Sequence, residues 1–394
     1  MSAPRVEAMR ARIRDHAALN AFISETTEEG DGTVVAVKDL IDVIGVPTTA
    51  GSDILPMTPA RADAPVVTRI RRAGCIVIGK TNLHEWAAGP TSAASRFGPV
   101  RNPHDPERVS GGSSGGSAVA VALDMCDWAI GTDTGGSVRI PAALCGVVGL
   151  KPTYGLVDND SVIPLCQSLD TLGPIARTVQ GALDALDMML GAEVSAPAAP
   201  PEWSRLRIAV PGGWVTDIDG PTAAVWDELS RGLPVIDFPD RGRFARTILP
   251  ILQGEAADNH RERLGEHASS YAKDTRAFIE AGLYVTAADY LAAKRDSAAL
   301  RRESDFAMRG WDALLLPTTA IVAPRIGEAN VREPLTRFTR PFNVTGHPAI
   351  SIPVPNAGAL PVGVQVVGHM HGDRELGAVA LALERHLGGS PSRT

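Results

Sequence analysis

Two glycine-bracketed serines, separated by a short apolar run, most constrain what this chain can fold into. Ser113 lies in the segment GGSSGG at 111–116, and Ser137 closes the segment GTDTGGS at 131–137. Because glycine lacks a Cβ and tolerates positive φ, each segment can bring a serine hydroxyl together with several backbone N–H donors. Acyl transfer needs this combination, an oxygen nucleophile beside donors that stabilise the developing oxyanion.

Flexible linkers, phosphate-binding loops and nucleophile elbows are also rich in glycine, but each fits this stretch less well. GGSSGGS has the composition of a flexible linker, yet an apolar run at 118–123 and a second Gly-Gly-Ser follow it. The phosphate-binding pattern G-x-x-x-x-G-K-[ST] is absent. Residues 111–115 match the nucleophile elbow G-x-S-x-G, but that elbow follows a buried strand, and residues 102–110 are polar with prolines.

In these segments the chain resembles the amidase signature family, whose members hydrolyse or transfer amide groups with a Ser–cis-Ser–Lys triad. The resemblance implies that Ser137 is the nucleophile and that Ser113, after a cis peptide bond from Gly112, is the relay serine. It also implies that Lys38, in the segment VAVKDL at 35–40, is the base. The same resemblance implies an oxyanion hole made by four backbone N–H groups, those of Thr134, Gly135, Gly136 and Ser137.

A lysine acts as a base only when it is neutral, and burial away from carboxylates favours the neutral form by lowering its pKa. Asp39 and Asp42 are close to Lys38 in the sequence. Strand alternation places the Asp39 side chain on the opposite face, and Asp42 lies roughly 13 Å further along an extended chain. We therefore expect both aspartates to have structural roles.

Several other polar residues could be mistaken for catalytic groups. Lys80, His84 and Glu85 lie in the segment GKTNLHEW, and since the triad is filled elsewhere we predict that they pack and shape loops. Arg139 could clamp a substrate carboxylate, but the resemblance favours a role in bracing the loop. Family members that act on malonamic acid carry an arginine three residues past the nucleophile, where this chain has Ile140.

Composition excludes some function classes. The chain has 394 residues with 38 Lys and Arg against 45 Asp and Glu, a net charge of −7, so no broad basic surface for nucleic acid or anionic membrane is expected. Neither a transmembrane run nor a signal peptide is evident. The four cysteines lack C-x-x-C spacing and sit in apolar contexts, which favours reduced core residues in a cytoplasmic protein. His260 and His267 are seven apart on a predicted helix, without further ligands between them, so no metal site is predicted.

Strands that alternate with helices predict an α/β protein. The resemblance implies one domain over 1–394, with a central mixed β-sheet of about eleven strands covered by helices on both faces. Its signature region would span about 30–180, a variable substrate-shaping half about 190–310, and a C-terminal return to the core about 311–390. A Pro/Ala-rich stretch at 192–204 predicts a surface linker.

The resulting functional expectation is an amidase that hydrolyses a small, linear carboxamide to a carboxylate and ammonia or an amine, without metal or organic cofactor. A homodimer is a possible assembly. A second hypothesis is the glutamine-hydrolysing subunit of a tRNA-dependent amidotransferase, which would work with protein partners. The short chain opposes this hypothesis, as does the segment LTRFTRP at 335–341, which lacks the tyrosine- and aspartate-bearing pattern of those subunits. A third hypothesis, a non-catalytic binding protein, is opposed by the intact triad.

Overall fold

One mixed β-sheet organises the part of the chain that the computed structural model describes, residues 4–192 and 200–388. Residues 193–199 of the predicted linker lie outside the described residues. The strands are β1 (Phe22–Glu25), β2 (Val34–Lys38), β3 (Ile76–Thr81), β4 (Trp128–Asp133), β5 (Val148–Lys151), β6 (Thr171–Ala176), β7 (Ile208–Pro211), β8 (Val235–Ile236), β9 (Ala313–Pro317), β10 (Ala349–Pro353) and β11 (Gly363–Val367).

The helices connect these strands and include a long helical insertion between β8 and β9. They are α1 (Pro4–Asp15), α2 (Pro65–Arg72), α3 (Gly115–Ala122), α4 (Arg139–Cys145), α5 (Val179–Leu190), α6 (Gly220–Leu229), α7 (Arg241–Asn259), α8 (Arg261–His267), α9 (Lys273–Glu280), α10 (Ala287–Ala307), α11 (Arg332–Thr336), α12 (Arg340–Val344) and α13 (Asp373–His386). Short 3₁₀ turns occur at Ala17–Leu19, Glu85–Ala87, Trp203–Arg205, Ala268–Ser270 and Ala281–Tyr284.

The order of the strands in space differs from their order along the chain. Across the described sheet the order is β1-β3-β2-β4-β6-β5-β10-β11-β9-β7-β8. Strand β2 runs parallel to both β3 and β4, whereas β10 pairs antiparallel with β5 on one side and with β11 on the other. The last two strands of the chain therefore join the signature region to the later strands.

Helices cover both faces of the sheet, as the alternation of side chains along the strands shows. In β2, Val35 and Val37 pack into a cluster that also includes residues of α2, α5 and α13. Val34 and Ala36 point to the other face, into a cluster with α1, α3 and α4, and further along the sheet this face packs on α7, α9 and α10. The predicted α/β fold, with about eleven strands in a mixed sheet between helices, is confirmed.

Local sequence explains where several elements begin and end. The β-branched run of β2 is entirely buried, which suits a central strand with both faces covered. Helix α10 begins at a capping box in which Thr286 and Asp289 satisfy each other's backbone N–H groups, and α5 begins at Thr178, whose hydroxyl accepts from Gly181 N–H. Helix α4 ends at Gly146, which adopts the left-handed conformation that favours glycine.

Candidate active site

Lys38 stands at the carboxyl end of β2, fully buried and held by two hydroxyl groups. Its Nζ lies 2.6 Å from Ser113 Oγ and 2.7 Å from Thr132 Oγ1. Burial lowers the pKa of Lys38 from 10.5 to about 7, although the charges of Asp170 and Asp133 oppose this. Near neutral pH a substantial fraction of the amine is therefore unprotonated, in contact with the serine hydroxyl.

Asp39 is kept away from this amine. Its carboxylate accepts hydrogen bonds from Thr49 N–H at 3.0 Å and from Thr49 Oγ1 at 2.5 Å, and it pairs with Lys80 Nζ at 2.8 Å. Both members of the Lys80–Asp39 ion pair are fully buried. This arrangement agrees with the prediction from strand alternation, because Asp39 pairs with Lys80 on its own side of the strand and not with Lys38.

The first glycine loop carries Ser113 on a cis peptide bond that follows Gly112. A Cβ at Gly112 would lie 2.7 Å from Ser92 N and 2.9 Å from Gly89 O, so this close approach of backbone to backbone requires glycine. The next residue, Ser114, donates its N–H to Ser137 O at 3.2 Å. This bond brings the loop that contacts Lys38 against the loop that ends in Ser137.

The second glycine loop folds around the Asp133 carboxylate at the end of β4. Asp133 accepts from Gly136 N–H at 2.8 Å and from Val138 N–H at 3.2 Å. Gly136 has φ of 126°, and a Cβ there would lie 2.2 Å from Thr339 Oγ1. The Gly136 N–H is therefore bound to Asp133 in this structure, and the oxyanion hole predicted from the N–H groups of Thr134, Gly135, Gly136 and Ser137 stays a prediction.

Arg139 braces this loop from within the protein. It is fully buried and contacts Asp133 through Nε at 3.0 Å and Nη2 at 2.9 Å. It also donates to Asn343 Oδ1 at 2.7 Å, to Thr339 O at 3.0 Å and to Gln365 Oε1 at 3.1 Å. Although burial disfavours the charged acid, Arg139 and Asn343 hold the pKa of the Asp133 carboxyl well below its usual range. Every N–H group of Arg139 for which the structure shows a partner binds a protein group. The structure therefore favours a role in bracing the loop over a role in clamping a substrate carboxylate.

Asp170 supports the loop from the other side. Its Oδ1 accepts from Thr134 Oγ1 at 2.5 Å, and its Oδ2 accepts from the N–H groups of Leu165 and Cys166, both at 2.9 Å. Burial raises the pKa of Asp170 to about 6 despite these hydrogen bonds. No role was predicted from the sequence for Asp170 or Thr132. The segment SLDTLGP, which carries Asp170, is the sequence feature that could have indicated a role for this aspartate.

Two cavities meet at this loop. A narrow pocket of about 30 Å³ is lined by Ser137, and a larger cavity of about 260 Å³ is lined by Thr132 and Asp170. Both are lined by Ala87, Thr134 and Leu165. Ser137 itself is 7% exposed, so its hydroxyl group is reached through a confined opening.

The remaining polar residues of the GKTNLHEW segment are held by neighbouring protein groups. Glu85 accepts from Ser52 Oγ at 2.7 Å and from the Ala272 N–H at 2.8 Å. His84 Nε2 lies 3.3 Å from an Asp274 carboxylate oxygen, and burial lowers the pKa of this histidine. These contacts fasten the segment to the start of α9, which is a structural role.

Cysteines and histidines do not assemble into a metal site in the part of the chain described. Cys75, Cys126, Cys145 and Cys166 are buried free thiols. His260 Nδ1 lies 2.8 Å from the Tyr271 hydroxyl group, and no group of three or more potential ligands occurs among residues 4–192 and 200–388. Within the same ranges, no helix has the length and apolar character needed to cross a membrane.

Comparisons with known proteins agree with this arrangement. The chain matches the sequence profile of the family described as Amidase over residues 6–211 and 245–376. It is 36% identical over 422 residues to the glutamyl-tRNA(Gln) amidotransferase A-subunit of Halobacterium salinarum, covering 93% of this chain and 100% of that protein. It is also 36% identical over 367 residues to AtzE, a 1-carboxybiuret hydrolase component of Pseudomonas sp. strain ADP, covering 85% and 80%.

A solved structure shows the same fold along nearly the whole chain. A crystal structure described as an amidase superposes with a TM-score of 0.89 at 33% identity, covering 97% of this chain and 95% of that one. The match to the family extends over the strands and loops that carry both glycine segments. This chain therefore belongs to the amidase signature family, and within it to the hydrolases that act on C–N bonds.

Proposed function

We propose that this protein is an amidase that hydrolyses a small carboxamide to a carboxylate and ammonia or an amine, through an acyl-enzyme on Ser137. The observation that carries the proposal is the buried contact of 2.6 Å between Lys38 Nζ and Ser113 Oγ, beside the loop that ends in Ser137. A lysine with a pKa of about 7 in contact with a serine suits a general base that works near neutral pH.

In the proposed first half-reaction, neutral Lys38 accepts the proton of Ser113, and Ser113 accepts the proton of Ser137 as its Oγ attacks the amide carbonyl carbon. Backbone N–H groups of Thr134, Gly135 and Ser137 stabilise the oxyanion. When the tetrahedral intermediate collapses, the C–N bond breaks and the relay returns the proton to the leaving nitrogen. Water then attacks the acyl ester and gives its proton to the same relay, which restores the Ser137 hydroxyl group and releases the carboxylate.

Thr132 completes this arrangement by orienting the amine. A neutral amine has two N–H donors and one lone pair, so it can donate to Thr132 Oγ1 at 2.7 Å while its lone pair accepts from Ser113. The protonated amine donates to both hydroxyl oxygens. The neutral amine still donates to Thr132 but accepts from Ser113. We infer that Thr132 is a positioning residue that keeps the lone pair aimed at the relay serine.

The principal alternative is a glutamine-hydrolysing subunit of a tRNA-dependent amidotransferase, which the similarity to the amidotransferase of Halobacterium salinarum favours. That alternative predicts a protein partner and glutaminase activity that rises in the presence of tRNA.

The buried free cysteines suit a reducing compartment under either function, so we place the protein in the cytoplasm.

Ammonia release from a panel of small aliphatic, aryl and amino-acid amides tests the proposal, with glutamine included. We expect release by the wild type, and its loss in both Ser137→Ala and Lys38→Met. Ser204→Ala is the matched control, because Ser204 is exposed and lies outside both cavities. Wild-type release from the Ser137→Ala variant would contradict the acyl-enzyme mechanism. Release from glutamine alone, dependent on a co-purifying partner, would favour the alternative.

A further inference from the structure

Two arginines line the narrow pocket in front of Ser137, and neither has a carboxylate partner. Arg332 donates from Nη2 to Ala88 O at 3.0 Å, and its guanidinium lies 4.8 Å from the centre of the Phe278 ring. Arg340 has a buried Nε without a hydrogen-bond partner. In the part of the chain that the structure describes, neither arginine belongs to an ion pair. The pocket therefore presents two guanidinium groups beside the proposed nucleophile with no carboxylate at ion-pair distance, although the more distant charges of Asp274 and Glu333 act on Arg332 and Arg340, respectively.

Arg340 is held directly against the second glycine loop. The preceding residue, Thr339, donates its hydroxyl group to Gly135 O at 2.7 Å. The position that a Cβ would take on Gly135 lies 3.4 Å from Arg340 Cγ and 3.7 Å from Arg340 Nε. The Arg340 side chain therefore lies beside the loop that ends in Ser137, and both residues line the same pocket.

The electrostatics of this pair favour an anion. Burial, followed by the charge of Arg332, lowers the pKa of Arg340 to about 10, and burial also lowers the pKa of Arg332. Both groups nevertheless remain protonated at neutral pH, so two like charges face one small space. Neighbouring arginines have acidic partners, as Arg139 has Asp133 and Arg337 has Glu333. A ligand carboxylate would supply the missing charge-assisted hydrogen bonds.

The remaining walls of the pocket are mostly apolar, with the hydroxyl-bearing Thr134 and Thr336 among them. Ile140, Leu252 and Phe278 line it together with the arginines, and its volume is about 30 Å³. This space is small, and Ser137 lies on its wall together with the two arginines. Because apolar walls exclude water, they also strengthen the attraction between a bound anion and the guanidinium groups.

We propose that the substrate is a small amide that carries a carboxylate close to the scissile carbonyl, as in the monoamide of a short dicarboxylic acid, and that Arg332 and Arg340 bind this carboxylate. The inference rests on the proposed amidase function and deepens it by naming the substrate class. The two guanidinium groups would orient the carbonyl carbon toward Ser137 Oγ. They would bind less tightly an amide that has a neutral group, or an ammonium group, in place of this carboxylate.

The test compares isosteric amides that differ in one charge. We expect kcat/KM for malonamate and succinamate to exceed that for malonamide and succinamide by about 10- to 100-fold, the effect of hydrogen bonds to a charged group. Arg340→Met should remove this preference, because it should lower kcat/KM for the acidic amides much more than kcat/KM for the neutral diamides. Arg340→Lys should restore part of the preference, because it retains the positive charge.

Controls separate a binding role from a folding defect. Arg246→Gln is the matched control, because Arg246 is 74% exposed in its side chain and lies outside the pocket. Arg332→Gln provides a second pocket variant if Arg340→Met fails to fold, and it should weaken the same preference. Glutaramate should be hydrolysed faster than glutamine, which differs from it by an added ammonium group.

Failure of the substrate inference can be distinguished from failure of the proposed function. Calorimetric titration of Ser137→Ala with malonate measures carboxylate binding without any chemistry, and we expect binding that Arg340→Met abolishes in the same background. Hydrolysis of neutral and acidic amides at equal rates, with no malonate binding, would overturn the carboxylate inference and leave the amidase function intact. Absence of hydrolysis of every amide, with malonate bound, would contradict the proposed activity while supporting the anion site.

Discussion

Removing the Thr132 hydroxyl group should change the chemistry at Lys38 in a way that can be worked out from the two contacts of its amine. In Thr132→Val a methyl group replaces the Oγ1 that lies 2.7 Å from Lys38 Nζ, while the contact of 2.6 Å with Ser113 remains. The net contribution of such a hydrogen bond is about 0.5–1.5 kcal/mol, which corresponds to roughly a 2- to 12-fold decrease in kcat/KM where Lys38 is fully deprotonated. The buried amine loses the acceptor that fixes its orientation.

The same substitution should also shift the pH dependence, because it makes Lys38 a weaker base. Catalysis needs the neutral amine, so wild-type kcat/KM should rise with pH through about 7, the pKa of Lys38. An acceptor such as Thr132 Oγ1 stabilises the ammonium more than the neutral amine. Its removal should therefore lower the pKa of Lys38, so that the plateau falls while the midpoint moves to lower pH.

Profiles of kcat/KM between pH 5 and 9, recorded with the best amide substrate, check both effects at once. Thr132→Ser keeps the acceptor oxygen and should retain the wild-type midpoint, which separates the hydrogen bond from effects of packing. The reasoning about the pKa of Lys38 is refuted if Thr132→Val lowers the plateau with an unchanged midpoint. It is equally refuted if Thr132→Val behaves like the wild type at every pH.

Three further predictions concern stability. Arg139→Met should lower the free energy of unfolding by about 3–5 kcal/mol in denaturant titrations, because it leaves the buried Asp133 carboxylate without its ion-pair partner, and a loss below about 1 kcal/mol would contradict this. Burial lowers the pKa of Lys151 from 10.5 to about 7, so as pH falls from about 10.5 to 7 the unfolded chain gains a proton that the folded chain does not. As pH rises from 7 to 9, the free energy of unfolding of the wild type should therefore increase relative to that of Lys151→Met in urea titrations. Parallel pH dependences of the two proteins would count against a buried neutral lysine. Thr286→Ala should cost about 1 kcal/mol by removing the cap of α10, and Thr286→Ser should not.

The sequence predicted the parts of the fold and the candidate site that are encoded locally. The α/β sheet followed from alternating strand and helix patterns together with the family resemblance. The contact between Lys38 and Ser113 was expected because both residues lie in motifs that can be identified by inspection. The β-branched residues Val34 and Val35 at the start of β2 suit the burial of this strand on both faces.

Long-range contacts were the parts that the sequence did not reveal. The Gly136 N–H binds Asp133, a matter of loop geometry that no pattern of residue types encodes. Arg332 and Arg340 lie about two hundred positions after the nucleophile in a polar segment, where an arginine usually indicates only a solvated surface. Only the packing of that segment against the glycine loop shows that these two charges lack partners.

The insertion of β10 and β11 beside β5 has a consequence for the order in which the protein can be assembled during synthesis. The loop at 133–139 leaves the ribosome early, yet the Asn343 and Gln365 side chains that fix Arg139 belong to the last quarter of the chain. Strand β5 likewise has to wait for β10 before both of its edges are paired. A nascent chain that carries both glycine loops therefore lacks the contacts that hold these loops in place until translation is almost complete. Premature termination between α4 and β11 should produce a fragment that contains the proposed triad but not the organised site.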